Sequence, residues 1–257
     1  MSADRYTDYD RFAWFYNRHW GAEYHRQTLP ILDRLGLGDL SPGAAILDLC
    51  CGTGRVSAVL VDRGFRVTGV EGSGEMLRHA RENAPGAEFL LDDARTFETS
   101  QSFNLAFSVF ESLNHVMSIQ DLGAVFRNVH RALLPGGVFI FDLNREAVFE
   151  KFWNLHYIIA EDDHVFTSRT RYHAERKFAE SEITMFRLNG TWQRSDVTIS
   201  QKCHDMNAVE AALHAAGFRE IRMLDAASQL GMTGDISLAR TFFRACRPAP
   251  QELNPMA

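Results

Sequence analysis

Two carboxylates and two glycines stand in a spacing that can hold a nucleoside: Asp48, Gly52, Gly54 and Glu71. The run Ile46-Leu47-Asp48-Leu49-Cys50-Cys51-Gly52-Thr53-Gly54-Arg55 is an apolar strand pattern that breaks into a glycine turn and continues as a helical pattern. A second apolar run, Phe65 to Val70, ends on Glu71, seventeen residues past Gly54. Glycines let a ligand approach the backbone, and the following helix N-terminus offers unpaired N–H groups. A carboxylate at the tip of the second strand accepts hydrogen bonds from two ribose hydroxyls.

A pyrophosphate-binding turn carries a third glycine three residues after the second. Here that position is Ser57. Asp48 would repel a diphosphate and attract a ligand bearing an amino group. A dinucleotide-dependent oxidoreductase is therefore the weaker reading, kept beside that of a non-enzymatic cofactor-binding module. The stretch Asp48-Leu49-Cys50-Cys51-Gly52-Thr53-Gly54 has the pattern D-x-x-x-G-x-G. It resembles the class I S-adenosylmethionine-dependent methyltransferases, in particular bacterial small-molecule enzymes with a β insertion. The implied activity is in-line methyl transfer from S-adenosylmethionine to N or O of a small-molecule acceptor. Cys50-Cys51 departs from the commoner pairing of a small residue with one cysteine. No Asn-Pro-Pro-Tyr-type motif follows the fourth strand, which removes the usual sign of methylation on nucleic-acid bases or a glutamine amide.

The resemblance implies a cofactor site made of Tyr16, Asp48, Cys50, Gly52, Gly54, Glu71, Gly72, Met76, Asp93, Ala94 and Phe110. Within it Glu71 takes the ribose and Asp93 the adenine amino group, with the Ala94 N–H beside the ring; Asp92 competes with Asp93. Met76 packs on the adenosine or is a plain core methionine. Tyr16 sits in Tyr9-Asp10-x-x-Ala13-x-x-Tyr16, which resembles a lid helix of small-molecule members. Val109-Phe110-Glu111-Ser112-Leu113-Asn114-His115 follows the fourth strand and borders the reacting methyl group, with Asn114 and His115 toward the acceptor. His115 is the general-base candidate, since imidazole takes a proton near neutral pH. Displacement at a sulfonium has a good leaving group, so alignment alone can supply most of the rate.

The elements that must position these residues alternate. Tyr9, Phe12, Tyr16 and Trp20 recur at helical spacing within residues 6–20, and a second helix is expected over Glu23–Leu35. Strands are expected at 45–50, 65–71, 87–91, 103–110 and 138–143, with helices at 54–63, 73–83 and 119–134 between them. After Asn144 the period changes to alternating runs over 155–204, with an Asn189-Gly190 hairpin signal. A helix over 206–216 and strands at 218–225 and 237–246 close the pattern, and 248–257 read as a frayed tail. With the resemblance, this predicts an α/β, Rossmann-like, doubly wound, mostly parallel seven-stranded sheet. Lid helices occupy 1–40, the core 41–143 and 206–247, and an antiparallel β insertion shaping the acceptor site 144–205.

Composition bounds the partners. The chain has 257 residues, net charge −6 and no Lys/Arg run, which argues against nucleic acid. No apolar run approaches the ~20 residues that span a bilayer, and the polar N-terminus is not expected to act as a signal peptide. The four cysteines form no Cys-x-x-Cys pair and read as reduced thiols of a cytoplasmic protein. A reactive or metalloid-binding Cys50–Cys51 pair is the minor alternative. His156, His164, His173 and His204 lack metal-ligand spacing, so solvated strand positions and no bound metal are expected. A homodimer is compatible with the sequence.

Overall fold

Near-continuous apolar runs form the centre of the sheet because both of its faces are covered by helices. The structure is a computed structural model, and it describes residues 8–20 and 24–249. Tyr6, the expected helix start at Glu23 and the expected tail from 250 onward lie outside the described residues.

In the first half, helices α1 (Ala13–His19) and α2 (Tyr24–Leu35) precede strand β1 (Ala45–Leu49), whose residues are all buried. Then follow α3 (Arg55–Asp62), β2 (Arg66–Glu71), α4 (Gly74–Asn83), β3 (Glu88–Leu91), β4 (Phe103–Ser108), α5 (Ile119–Ala132) and β5 (Leu133–Asn144). Helix α6 (Glu146–Phe152) leads into strands β6 (His156–Glu161), β7 (His164–His173), β8 (Phe178–Asn189) and β9 (Thr191–Lys202). The chain closes with α7 (Met206–Ala215), β10 (Arg219–Asp225) and β11 (Arg240–Cys246).

The seven-stranded sheet has the order β10-β11-β5-β4-β1-β2-β3. Strands β1 to β5 pair in parallel, and β11 runs antiparallel between β5 and β10. The chain therefore reverses direction across the sheet beside β1, and the ends of β1 and β4 open a crevice there. One core face stacks Phe126, Phe139, Phe141, Phe218 and Phe243 beneath α5 and α7. The other packs α2 and α3 through Leu32, Leu60, Phe107 and Ile140. The second sheet, β6-β7-β8-β9, is antiparallel, and Phe166, Ile183, Met185 and Ile199 on it pack against Phe12 and Phe15. Gly190 at φ 72° makes the predicted hairpin between β8 and β9.

Several boundaries differ from expectation. The N-terminal aromatic segment is a turn over residues 8–12 before a short α1, not one helix from residue 6. Strand β4 stops at Ser108, because Phe110 and Glu111 take φ of 64° and 48°. Strand β5 begins at Leu133, earlier than residue 138, with its register against β4 broken between Phe103 and Leu105. The segment 146–152, read as the start of the β insertion, is helix α6, held by burial of Val148 and Phe149. Strand β11 starts at Arg240 because residues 235–237 form a 3-10 turn.

Candidate active site

The glycine turn is shaped by two left-handed residues. Gly52 takes φ 55° and Gly54 φ 71°, and a Cβ on Gly54 would lie 3.0 Å from the Ala80 Cβ. Gly54 thus lets α3 pack close to α4, whereas a Cβ on Gly52 would meet only the Tyr16 ring, at 3.8 Å. Over this turn, at the C-terminal edge of the sheet, lies a cleft of about 400 Å³.

Glu71 fixes one end of the cleft. Its Oε2 accepts from the Gly52 N–H at 3.1 Å and its Oε1 from the Ser73 N–H at 2.9 Å. Burial raises its carboxyl above the ordinary range, opposed by the N–H bonds from Ser73, Gly52 and Gly72. Met76, fully buried in the first turn of α4, forms an apolar wall beside it. Asp93 and Ala94 line the cleft after β3, and Arg95 grips Asp93 as a fork, Nε to Oδ1 at 2.7 Å and Nη2 to Oδ2 at 2.8 Å. Asp92 instead accepts the Asp93 N–H at 2.7 Å and is not among the cleft-lining residues.

Asp48 and Gly54 stand behind this wall. Asp48 borders an adjoining pocket of about 30 Å³ under the turn, together with Cys51 and Thr53. Its Oδ2 accepts from the Ser57 hydroxyl at 2.6 Å. Burial pushes its carboxyl up to about 7, the Ser57 bond opposing and the Glu71 charge adding. Ser57, where a third glycine would sit, is thus the partner of the buried acid. Burial likewise raises both the Cys50 and Cys51 thiols, which keeps them protonated and poorly nucleophilic. All four cysteines are free.

Tyr16, Phe110 and His115 line the cleft with Tyr9, Phe12 and Trp20 from the N-terminal segment. That segment is tied to the core. Asp10 accepts from the Ser73 hydroxyl at 2.5 Å and the Glu75 N–H at 3.2 Å, and Asn17 accepts from Arg55 at 3.1 Å. His115 lies 2.8 Å by Nδ1 from the Ser200 carbonyl. A carbonyl only accepts, so Nδ1 carries the proton and Nε2 a lone pair. The Tyr9 hydroxyl donates to Nε2 at 3.2 Å, and the Gln201 amide stands 3.4 Å from it. Burial lowers the His115 pKa, against raising contributions from the Ser200 bond, Glu111 and Asp8. The imidazole is therefore neutral near pH 7.

Asn114 does not reach the cleft as expected. It is fully buried, donating to the Lys202 carbonyl at 2.8 Å and accepting the Asn144 N–H at 3.0 Å, and so joins β5 to β9. His164 and His204 are likewise not solvated, at 0% and 6% exposure. Trp14 and Phe15 cover the first, and the second lies 2.8 Å from the Val116 carbonyl.

An ionic triad closes the site beside β5 and β11. Buried Arg240 on β11 donates to Asp142 at 2.6 Å and also to Glu111, while the Glu111 N–H donates to Asp142 at 3.2 Å. Burial raises the Asp142 carboxyl to about 6, with Arg240 opposing and Glu111 adding. The triad holds Phe110 and Glu111 in left-handed backbone that costs non-glycine residues about 1–3 kcal/mol each. An acid inside the otherwise apolar run Val-Phe-Ile-Phe-Asp-Leu was the available signal that a buried cation faces it.

Residues 46–137, spanning β1, the glycine turn, Glu71, Asp93 and His115, match the family model of a methyltransferase domain. These residues form a methyltransferase domain. YqeM, a methyltransferase-family protein of Bacillus subtilis (strain 168), is 28% identical over 180 residues, 68% of this chain and 73% of that protein. The dTDP-3-amino-3,4,6-trideoxy-alpha-D-glucopyranose N,N-dimethyltransferase of Streptomyces venezuelae is 30% identical over 47% of this chain and 50% of its own length. A malonyl-[acyl-carrier protein] O-methyltransferase of Pseudescherichia vulneris is 29% identical over 75% of this chain and 71% of its own. The crystal structure of an S-adenosylmethionine-dependent methyltransferase from Clostridium acetobutylicum ATCC 824 shares the fold. Its TM-score is 0.76 at 21% identity, over 94% of this chain and 99% of that one.

The methyltransferase cleft suits S-adenosylmethionine. Gly52 leaves open the space that a side chain would fill, and both Glu71 oxygens are oriented by backbone N–H groups at the cleft edge. Met76 and Phe110 supply apolar surface. When bound, the cofactor supplies an electrophilic methyl group on a sulfonium. Among the described residues no helix is long and apolar enough to cross a membrane.

Proposed function

We propose that this methyltransferase acts on the amine nitrogen of a small-molecule acceptor seated beside His115, between the N-terminal segment and the β8–β9 face. The charge of the cleft carries this reading. Its lining, among the described residues, includes the carboxylates Glu71, Asp93, Glu111 and Asp121; Arg95 is forked onto Asp93 and Arg240 donates to Glu111, so Glu71 and Asp121 stand without a paired guanidinium. Such a wall attracts an ammonium and repels a carboxylate acceptor. An ammonium must lose a proton before its nitrogen can attack, and Nε2 of His115, which accepts from the Tyr9 hydroxyl, can take it through that phenol or once the acceptor displaces it. The amino-sugar N,N-dimethyltransferase among the relatives supports an amine.

In this reading Glu71 holds the ribose, Asp93 with Ala94 holds the adenine edge, and Met76 and Phe110 flank the cofactor. Tyr9, Phe12, Tyr16 and Trp20 act as a lid on the acceptor side. Asp48, behind the turn, meets the cofactor's amino end through the adjoining pocket. Four free thiols fit a reducing, cytoplasmic setting.

The test is turnover on an acceptor panel of nucleotide-linked amino sugars, simple amines, hydroxyl compounds and carboxylates. Methylation of amines alone supports the reading. Hydroxyl acceptors as the better substrates would favour O-methylation with the same base, and preference for carboxylates would overturn the charge argument.

A further inference from the structure

A group of ligating side chains lies where α1 meets the turn between β6 and β7. His19 ends α1, Glu161 ends β6 and His164 opens β7. Their nearest ligand atoms all lie within 4.8 Å of one another. The two imidazoles face each other through Nε2, 2.7 Å apart, and the Glu161 carboxylate stands 3.8 Å from the His164 Nε2.

The second nitrogen of His164 decides its state. Nδ1 lies 2.6 Å from the Asp163 carboxylate, which accepts, so Nδ1 holds the proton and Nε2 presents a lone pair toward His19 and Glu161. A carboxylate on the far nitrogen is the arrangement that orients metal-bound histidines and raises their basicity. Trp14 and Phe15 pack on His164 by their edges, with ring centroids 5.1 and 5.5 Å away, and fix the ring in a fully buried setting. Among the described residues Arg18 is the guanidinium that pairs with both Glu161 and Asp163, so two carboxylates there share one cation.

We propose that His19, His164 and Glu161 bind a divalent transition metal of the zinc class, fastening the N-terminal helix to the β6–β7 turn. Two imidazoles and one carboxylate are three ligands suited to zinc, with water as the fourth. Tetrahedral ligation at zinc–nitrogen distances sets the two Nε2 atoms about 3.3 Å apart, a widening of about 0.6 Å that a small turn of half-buried His19 provides. Phe12, Tyr16 and Trp20 of the same segment line the cleft, whereas Phe15 and His19 face the insertion. The ion therefore braces the outer side of the cleft wall and takes no part in the chemistry within.

The full chain, stripped with a chelator, is titrated with Zn2+ against a chromophoric competitor, in parallel with Mg2+ and with the variants His19→Gln and Glu161→Gln. Both positions are accessible, and circular dichroism establishes that the variants are folded. The expected result is one Zn2+ per chain at submicromolar affinity, Mg2+ at least a thousandfold weaker, and at least a tenfold loss in each variant. X-ray absorption should give a nitrogen and oxygen shell. The proposal is overturned by absence of saturable binding, by equal Mg2+ affinity, by folded variants with wild-type affinity, or by a sulfur shell, which would place the ion on cysteines.

Discussion

The Tyr9 hydroxyl lies 3.2 Å from Nε2 of His115, on the ring nitrogen left unprotonated by the bond from Nδ1 to the Ser200 carbonyl. The contact spans 106 positions of the chain and sets the N-terminal segment against the loop after β4. It places a neutral imidazole, bonded to a phenol, in the wall of the cleft.

If His115 removes the acceptor proton, His115→Ala should lower turnover by roughly 10²–10⁴ while leaving cofactor affinity nearly intact. Raising the pH should recover part of the loss, because the amine then deprotonates unaided. Burial lowers the His115 pKa, so the acid limb of the wild-type profile should fall below the ordinary imidazole value of about 6.5. A loss under about tenfold with an unchanged profile would show that alignment alone drives transfer.

Glu71→Ala should weaken binding of S-adenosylhomocysteine by about 1–3 kcal/mol, the range for hydrogen bonds to a charged group. The sheet should stay folded, since Glu71 holds the turn through the N–H groups of Gly52, Gly72 and Ser73. Calorimetric affinity equal to wild type would place the ribose elsewhere.

Arg240→Met would leave buried Asp142, and half-buried Glu111 beside it, without their cation. Breaking one partner from a buried ionic group costs about 3–5 kcal/mol, so denaturant unfolding should shift by that order. Phe110 and Glu111 should relax from their left-handed conformation, and activity should fall even under conditions where the variant is folded. Wild-type stability in this variant would mean that the triad contributes neither to the fold nor to the loop.

Asp48 gives the stability curve a distinctive slope. Its carboxyl titrates near pH 7 in the fold and near 4 in the unfolded chain, so between those values the native state holds the extra proton. Stability from this group is therefore present below about pH 4 and lost as pH rises toward 7, by at most about 4 kcal/mol. Asp48→Asn should flatten that slope and raise stability at pH 8. A curve parallel to wild type would mean that Asp48 ionises normally.

The glycine turn, Glu71 and the parallel core were legible because each depends on neighbours close in sequence: strand, turn, helix, strand. The hairpin at Asn189-Gly190 is of the same kind. The Arg240 triad was not legible, because its contacts to Asp142 and Glu111 span 98 and 129 positions and exist only once β11 returns beside β5. His164 looked like a solvated strand residue for a similar reason: Trp14 and Phe15, which bury it, come from the other end of the chain. Helix α6 escaped notice because one short turn-length apolar pair, Val148 and Phe149, stands before a long alternating stretch.

Titration calorimetry of the intact chain with S-adenosylhomocysteine, and separately with NAD, tests the central claim most directly. The Glu71 and Gly52 geometry and the Asp48–Ser57 pair predict saturable binding of one S-adenosylhomocysteine per chain at micromolar affinity and no measurable heat from NAD. NAD bound as tightly as S-adenosylhomocysteine, or no binding of the latter, would contradict it.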